Sequence, residues 1–409
     1  MPTQHSAPRR VLPLIVASLV LFILVGGISW SRHDERQPAE IDEIYWIGSA
    51  YYFDLAFLRG DWSHPDWQLL PARENPPVGK YLIGAALYAA DLRVMSPDKL
   101  GSFYLVFRDR GWGQGIARAK RQAVADRLSP GTWQAMGGGR YQPLTRYELR
   151  IGRALMAFFG FLCALGIVSL GRTISGLGTG MLAALSFVLH PVVIHCYSRV
   201  SVDIIALFFS ILAVRLLLTI LRPAWSGAEL SKARTAVLAI AMTGTLVGAF
   251  GSKMNALVVV VLTACVWLCV CVRATVSGGS PSRHAAWAFG VALAVAPVVF
   301  VALDPTLHPD PVSGLRALVE EHRLSALIQK DFLVGESWLA PGPDRALAVA
   351  FLVGIRPEVF LLVVAATIWQ SANGQRRLSA NTGICLWGGS VSAWWSGGSP
   401  SPGLAMYCR

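Results

Sequence analysis

The chain has 409 residues, 54% of them hydrophobic and 15% charged, where soluble domains carry about 25% charged residues. That balance excludes a soluble enzyme on a single anchor and implies a polytopic membrane protein. The net charge of +12 invites a nucleic-acid reading, yet the basic residues fall mostly in short connectors and no basic stripe is interleaved with aromatics on a polar face, so topology control and anionic headgroups account for them better.

In chain order, Val11 to Trp30 is an apolar run without charge. About twenty residues at ~1.5 Å each cross a hydrocarbon core of ~30 Å. Arg9-Arg10 precede it as they would a signal peptide, but the run is longer than a signal core and no clean small-residue cleavage pattern follows. A retained signal anchor is therefore expected. Further spans are predicted over 152–170, 178–197, 200–221, 235–250, 255–272, 285–303 and 346–369, with a weaker one near 382–395. Residues 78–92 are apolar but short and end at Asp91, which suits a helix lying in the interface.

Placing Arg9-Arg10 in the cytoplasm sends Arg172, then Arg222, Lys232 and Arg234, then Arg273 and Arg283, then Arg376-Arg377 to the same side, as the positive-inside rule requires. The expected division is a cytoplasmic tail and first span (1–30), an extracytoplasmic loop with juxtamembrane helices (31–150), a transmembrane core (151–303), a second extracytoplasmic loop (304–345), and a C-terminal region of one or two spans with an atypical tail (346–409). The first loop is too long for a simple connection. It holds Trp62, Trp67, Tyr81, Trp112 and Trp133, residues suited to an interface. Gly137-Gly138-Gly139-Arg140 reads as a flexible turn, and the glycines of 111–115 follow no strand, so they make no nucleotide fingerprint. Cys265, Cys269 and Cys271 lie in a span without a nearby His, and read as buried inert thiols with Cys163 and Cys196.

The residues able to do chemistry fall on the outer side. Asp42-Glu43 follow the first span; they are either a solvated pair or a catalytic one. Glu74-Asn75-Pro76-Pro77-Val78-Gly79-Lys80 is a proline-stiffened turn before an apolar helix, where Lys80 either snorkels or points at a ligand. Arg150 and Arg153 open a span from the outer side, against the usual bias, which a phosphate or a carboxylate partner would explain. Arg199 and Asp203 are four apart, either a structural pair or part of a site. Lys253 is the one charge in its outer turn. Asp304-Pro305 to Asp310-Pro311 is a second stiffened acidic stretch. His190 and His195 read as structural. Carboxylates, cations and aromatics on one side suit transfer from a lipid-linked phosphate donor, with a general base for the acceptor hydroxyl and cations for the departing phosphate. Nothing resembles a Ser-His-Asp triad or a Walker loop.

In order along the chain, Asp42-Glu43, Asn75-Pro76-Pro77-Val78-Gly79-Lys80, Arg150-Ile151-Gly152-Arg153, Ser198-Arg199 to Asp203, Gly251-Ser252-Lys253 and Asp304-Pro305 to Asp310-Pro311 resemble the motifs of C-type membrane glycosyltransferases. The group is family 39, the dolichyl-phosphate-mannose–protein mannosyltransferases and their bacterial relatives. Asn75 stands where that family usually has His. The resemblance implies an all-α polytopic fold in the plasma (inner) membrane. It implies inverting transfer of a hexose such as mannose from a polyprenyl-phosphate carrier to a protein or cell-envelope glycan acceptor outside the cytoplasm. Asp42 would be the base or an acceptor-binding carboxylate, and Glu43 would orient a cation such as Arg150 or Arg153. Lys80, Arg150, Arg153 and Lys253 would meet the carrier phosphate, with Asn75, Arg199 and Asp203 in support. Some relatives bind a divalent metal and others need none, so the metal stays open and no other cofactor is expected. Membrane lipids are partners and nucleic acid is not. The family continues through more spans, so a chain truncated at its C-terminus is expected. The rival readings are a transporter or lipid flippase, and a noncatalytic assembly subunit.

Overall fold

The structure is a computed structural model and describes residues 12–32, 39, 41–109, 142–226, 230–277 and 280–320. The predicted spans at 346–369 and near 382–395, the glycine-rich segments at 111–115 and 137–140, Trp112, Trp133, Cys385 and Cys408 lie outside these residues. Among the described residues every regular element is helical.

Helix α1 (Leu12–Ser31) buries one stripe, Ala17, Leu21, Val25 and Ser29. These recur every four residues, so they form one face. Its other faces expose Leu12, Ile15, Val16, Leu19, Val20, Phe22 and Ile23. A water-exposed helix would carry polar residues there, so the pattern suits surrounding lipid. Past it come α2 (Ile41–Gly48), α3 (Tyr51–Phe53, running on into a wider turn over Asp54–Leu58), α4 (Leu70–Glu74), α5 (Pro77–Ala89) and α6 (Asp98–Asp109).

Helix α7 (Arg146–Ile174) starts six residues before the predicted span at 152. Thr145 accepts from the Glu148 amide at 3.2 Å while the Glu148 carboxylate accepts from the Thr145 amide at 2.8 Å, a reciprocal cap that satisfies two of the orphan donors of the first turn. Arg150 and Arg153 thus sit inside the first turns of a long helix. Lys99 of α6 also donates to Glu148, which ties the segment 41–109 to this start.

The predicted span 178–197 is instead two helices, α8 (Leu177–Val188) and α9 (Pro191–Ser198), which meet at 71°. Pro191 holds His190 extended, with ψ 128°, because the residue before proline is excluded from the helical region. The rest of the bundle is α10 (Val202–Ser226), α11 (Lys232–Ser252), α12 (Leu257–Ser277) and α13 (Ser280–Leu303), followed by a helical segment over 311–320. Five helices, α1, α7, α10, α11 and α13, are long and apolar enough to cross a membrane. The α8–α9 pair makes a bent sixth, and the apolar part of α12, Leu257–Val272, is shorter.

The two largest apolar clusters hold most of the described chain together. One joins α1, the segment 41–109, α7, α8, α9 and the start of α10. The other joins the rest of α10 to α11, α12 and α13. Helix α10 belongs to both. Helix α5 packs on α7, α10 and α11, so the segment predicted to lie in the interface rests on the ends of the long helices. Trp67 and Tyr81, expected at an interface, are buried in the first cluster. Of the cysteines, Cys163 is buried while Cys265 and Cys269 are exposed on α12; their apolar helix turns that face outward.

Candidate functional site

The candidate residues meet because two small residues let backbones approach. At Gly152 on α7 an added Cβ would lie 2.8 Å from Val200 and 3.6 Å from Ile47 of α2. At Gly79 on α5 it would lie 2.5 Å from Val202, with the Ser252 carbonyl at 3.7 Å. The starts of α2, α5, α7 and α10 and the end of α11 therefore gather at one end of the bundle. The end of α13 joins them, since the Tyr81 hydroxyl donates to the Leu303 carbonyl at 2.9 Å.

Glu43 sits in the first turn of α2, where a carboxylate suits the helix dipole, and is 1% exposed. Arg153 grips it with two parallel hydrogen bonds, Nε to Oε1 and Nη2 to Oε2, both 2.7 Å. Such a fork is among the strongest side-chain contacts. The Val200 amide also donates to Oε1 at 3.1 Å, and Arg199 Nη1 lies 3.6 Å from Oε2. The cation that Glu43 orients is thus Arg153; Arg150, one turn earlier, is exposed. Asp42, beside Glu43, is exposed.

Arg199 and Asp203, read from their spacing as either a structural pair or part of a site, take separate partners. Arg199 closes α9 in an extended conformation and α10 begins only at Val202, so the four-residue spacing never acts as one helical turn. Asp203 pairs with Lys253 at the end of α11 and accepts from Ser201 Oγ at 2.8 Å. The short segment 199–203 therefore joins both ion pairs.

Lys80, expected at the surface facing a phosphate, is 1% exposed. Its ammonium donates to the Pro71 and Ala72 carbonyls at 2.7 and 2.9 Å and lies over the Tyr52 ring, 5.1 Å from its centroid. The physical reason is the α4 turn just before it, whose carbonyls need donors. Burial lowers the Lys80 pKa to about 7, against the pull of Asp304 and Glu74. Asp304 is buried too, and its Oδ1 accepts from the Thr306 amide and hydroxyl at 3.1 and 2.6 Å. Burial raises its pKa while Thr306 and Lys80 hold it back. Asn75 donates to the Tyr45 hydroxyl at 3.2 Å, which donates to the Pro71 carbonyl at 3.1 Å. The turn 71–75 is thereby pinned from two sides.

No family model, curated protein or solved structure matches the chain.

A cavity of about 220 Å³ is lined by Gln68, Arg73, Thr306, Asp310 and Ser313 among others. Neither Asp42 nor Glu43 lines it. Among the described residues no group of three or more His, Cys, Asp or Glu side chains is placed to hold a metal ion.

Sequence reasoning passed over two charged groups. Asp54, 1% exposed, is paired with Arg59 at 2.6 Å and with Arg93; its signal was an acid inside the apolar run Tyr51–Leu58. Arg215 is a lone cation in the middle of α10, visible as the one charge between Asp203 and Arg222.

Proposed function

We propose that the protein is a membrane glycosyltransferase that moves a hexose from a polyprenyl-phosphate carrier to an acceptor hydroxyl on the non-cytoplasmic side of the plasma (inner) membrane. The observation behind this reading is the division of labour within one acidic pair. Glu43 is buried and gripped by Arg153, while its neighbour Asp42 is exposed at the same end of the bundle. A clamped carboxylate fixes the start of α2, and the adjacent one is left at the surface where a substrate hydroxyl can reach it.

In this reading the Asp42 carboxylate takes the acceptor proton. The acceptor oxygen forms the new bond to the anomeric carbon from the face opposite the carrier. The carbon–oxygen bond to the phosphate breaks, and that electron pair leaves on the phosphate, giving inversion. Arg150, Arg199 and Lys253 sit at the same end and supply positive charge for the departing phosphate. Lys80 is enclosed, so its role becomes positioning: it holds the 71–75 turn through backbone carbonyls. The basic connectors at 172, 222–234 and 273–283 support the orientation that puts this end outside.

The rival transporter or flippase calls for ionisable groups deep in several spans. Among the described residues Arg215 is the one charge near the middle of a candidate span, which favours the enzyme.

The test uses full-length purified protein with labelled polyprenyl-phosphate hexoses, and follows release of the carrier phosphate. Wild type is expected to release it in the presence of acceptor. Asp42→Asn is expected to lose transfer while still binding the lipid-linked sugar. Undiminished transfer by Asp42→Asn sinks the assignment of the base, and no release from any polyprenyl-phosphate hexose sinks the activity.

A further inference from the structure

Arg215 lies where a charge is costly. It is thirteen residues past Val202, about 20 Å along α10. A second ruler agrees. Its Nε donates to Ser169 Oγ of α7 at 2.9 Å, and Ser169 is sixteen residues past Arg153, about 24 Å along α7. Helices α7 and α10 run side by side in the same direction here, with Gly166 facing Ile211. The charged cluster at Glu43, Arg153 and Asp203 marks one boundary of a hydrocarbon core ~30 Å thick. The guanidinium then sits in the far half, within side-chain reach of the opposite boundary.

The local bonds aim it that way. Arg215 Nη1 donates to Thr219 Oγ1 at 2.6 Å, one turn further toward the C-terminal end of α10. Thr219 in turn donates to the Arg215 carbonyl at 2.8 Å, which fixes the hydroxyl. The side chain is therefore drawn away from the Glu43 cluster. Two polar residues, Arg172 and Thr173, continue the same face of α7 beyond Ser169, and Arg172 is exposed.

The donor count is incomplete. A guanidinium has five N–H groups and accepts nothing. Two are used, one on Ser169 and one on Thr219. Nη2 has no protein acceptor, and no carboxylate pairs with the charge, among the described residues. Arg215 is only half-buried. A lipid tail cannot accept the remaining donors, so the side chain has to find its acceptors at the nearby boundary. What the site lacks is a planar-fork acceptor carrying negative charge at the headgroup boundary, which is the chemistry of a phosphate.

We propose that Arg215, with Ser169 and Thr219 holding its guanidinium, binds the phosphate of an anionic phospholipid in the leaflet opposite the Glu43–Asp203 cluster. This site is separate from the proposed transfer site and does not rest on the glycosyltransferase reading. Anionic lipid seated there would brace α10 against α7 along the seam between the two apolar clusters.

The test is thermal unfolding of the full-length protein in neutral detergent, read by tryptophan fluorescence. Phosphatidylglycerol, a phosphate-free diacylglycerol glycolipid and inorganic phosphate are added in parallel. Wild type is expected to gain Tm with phosphatidylglycerol alone. Arg215→Gln is expected to weaken that response at least about tenfold, since a charge-assisted contact is removed. Arg172→Gln is expected to keep most of it. If Arg215→Gln does not fold, Ser169→Ala serves instead, with a smaller but measurable loss. An equal response to the phosphate-free lipid overturns the proposal, as does an equal gain from inorganic phosphate, which removes the lipid. An undiminished response in both Arg215→Gln and Ser169→Ala overturns it as well.

Discussion

Replacing Arg153 by Met is the sharpest test of how the Glu43 end of the bundle is held together. Met keeps most of the volume and the helical preference but removes the fork from Glu43. The structure gives Glu43 two 2.7 Å bonds from Arg153, one 3.1 Å bond from the Val200 amide, and Arg199 at 3.6 Å. Charge-assisted bonds contribute about 1.5–3 kcal/mol each, so the two lost bonds amount to roughly 3–6 kcal/mol. Breaking one side of a buried pair in other proteins costs about 3–5 kcal/mol, because the remaining charge stays desolvated. The expected cost is therefore about 3–5 kcal/mol, reduced where Arg199 moves in. The companion Glu43→Gln, Arg153→Met double variant carries no buried carboxylate at this position and is expected to recover at least half of that loss. The assay is reversible unfolding of the reconstituted protein in a denaturing-detergent titration, run as a double-mutant cycle. A single-variant cost below about 1 kcal/mol, or strict additivity of the two changes, refutes the idea that this pair is enclosed and coupled.

Two further outcomes follow from the same geometry. Lys80 titrates near 7 in the folded protein against 10.5 ordinarily, so between those values the unfolded chain holds a proton that the folded one has released. Stability is then expected to rise with pH from about 7 toward 10, by up to ~1.4 kcal/mol per unit. The difference between wild type and Lys80→Met, measured at pH 7, 8 and 9, should show that slope, and a flat difference contradicts the burial of the ammonium. Gly152→Val places new atoms where even a Cβ would be 2.8 Å from Val200. It is expected to destabilise by about 1–3 kcal/mol, measured by the same unfolding titration, whereas a change of a few tenths would mean the helices do not meet there.

Much of the helical frame is readable from the chain because it needs only local information. Long apolar runs mark α1, α10, α11 and α13, while the Glu43–Arg153 contact, 110 residues apart, was anticipated only through the family resemblance. The Thr145-x-x-Glu148 signature, three residues apart and before an apolar run, was available to place the start of α7 earlier. The break between α8 and α9 was flagged by Pro191, but an apolar run on both sides masks it. Other features depend on segments far apart in sequence. Nothing near Lys80 announces that α4 will present two carbonyls to it or that Tyr52 will cover it. The separation of Arg199 from Asp203 turns on where α10 begins, and a boundary shift of two or three residues decides whether an i, i+4 spacing means contact at all.

The five residues 199–203 act as a yoke. Arg199 and Val200 are harnessed to Glu43 while Asp203 is harnessed to Lys253, and the intervening backbone is too short to absorb slack. A pull on either harness is felt at the other. A ligand that draws Lys253 outward would tug the start of α10 and loosen the grip on α2, so occupancy on one flank is reported mechanically on the other.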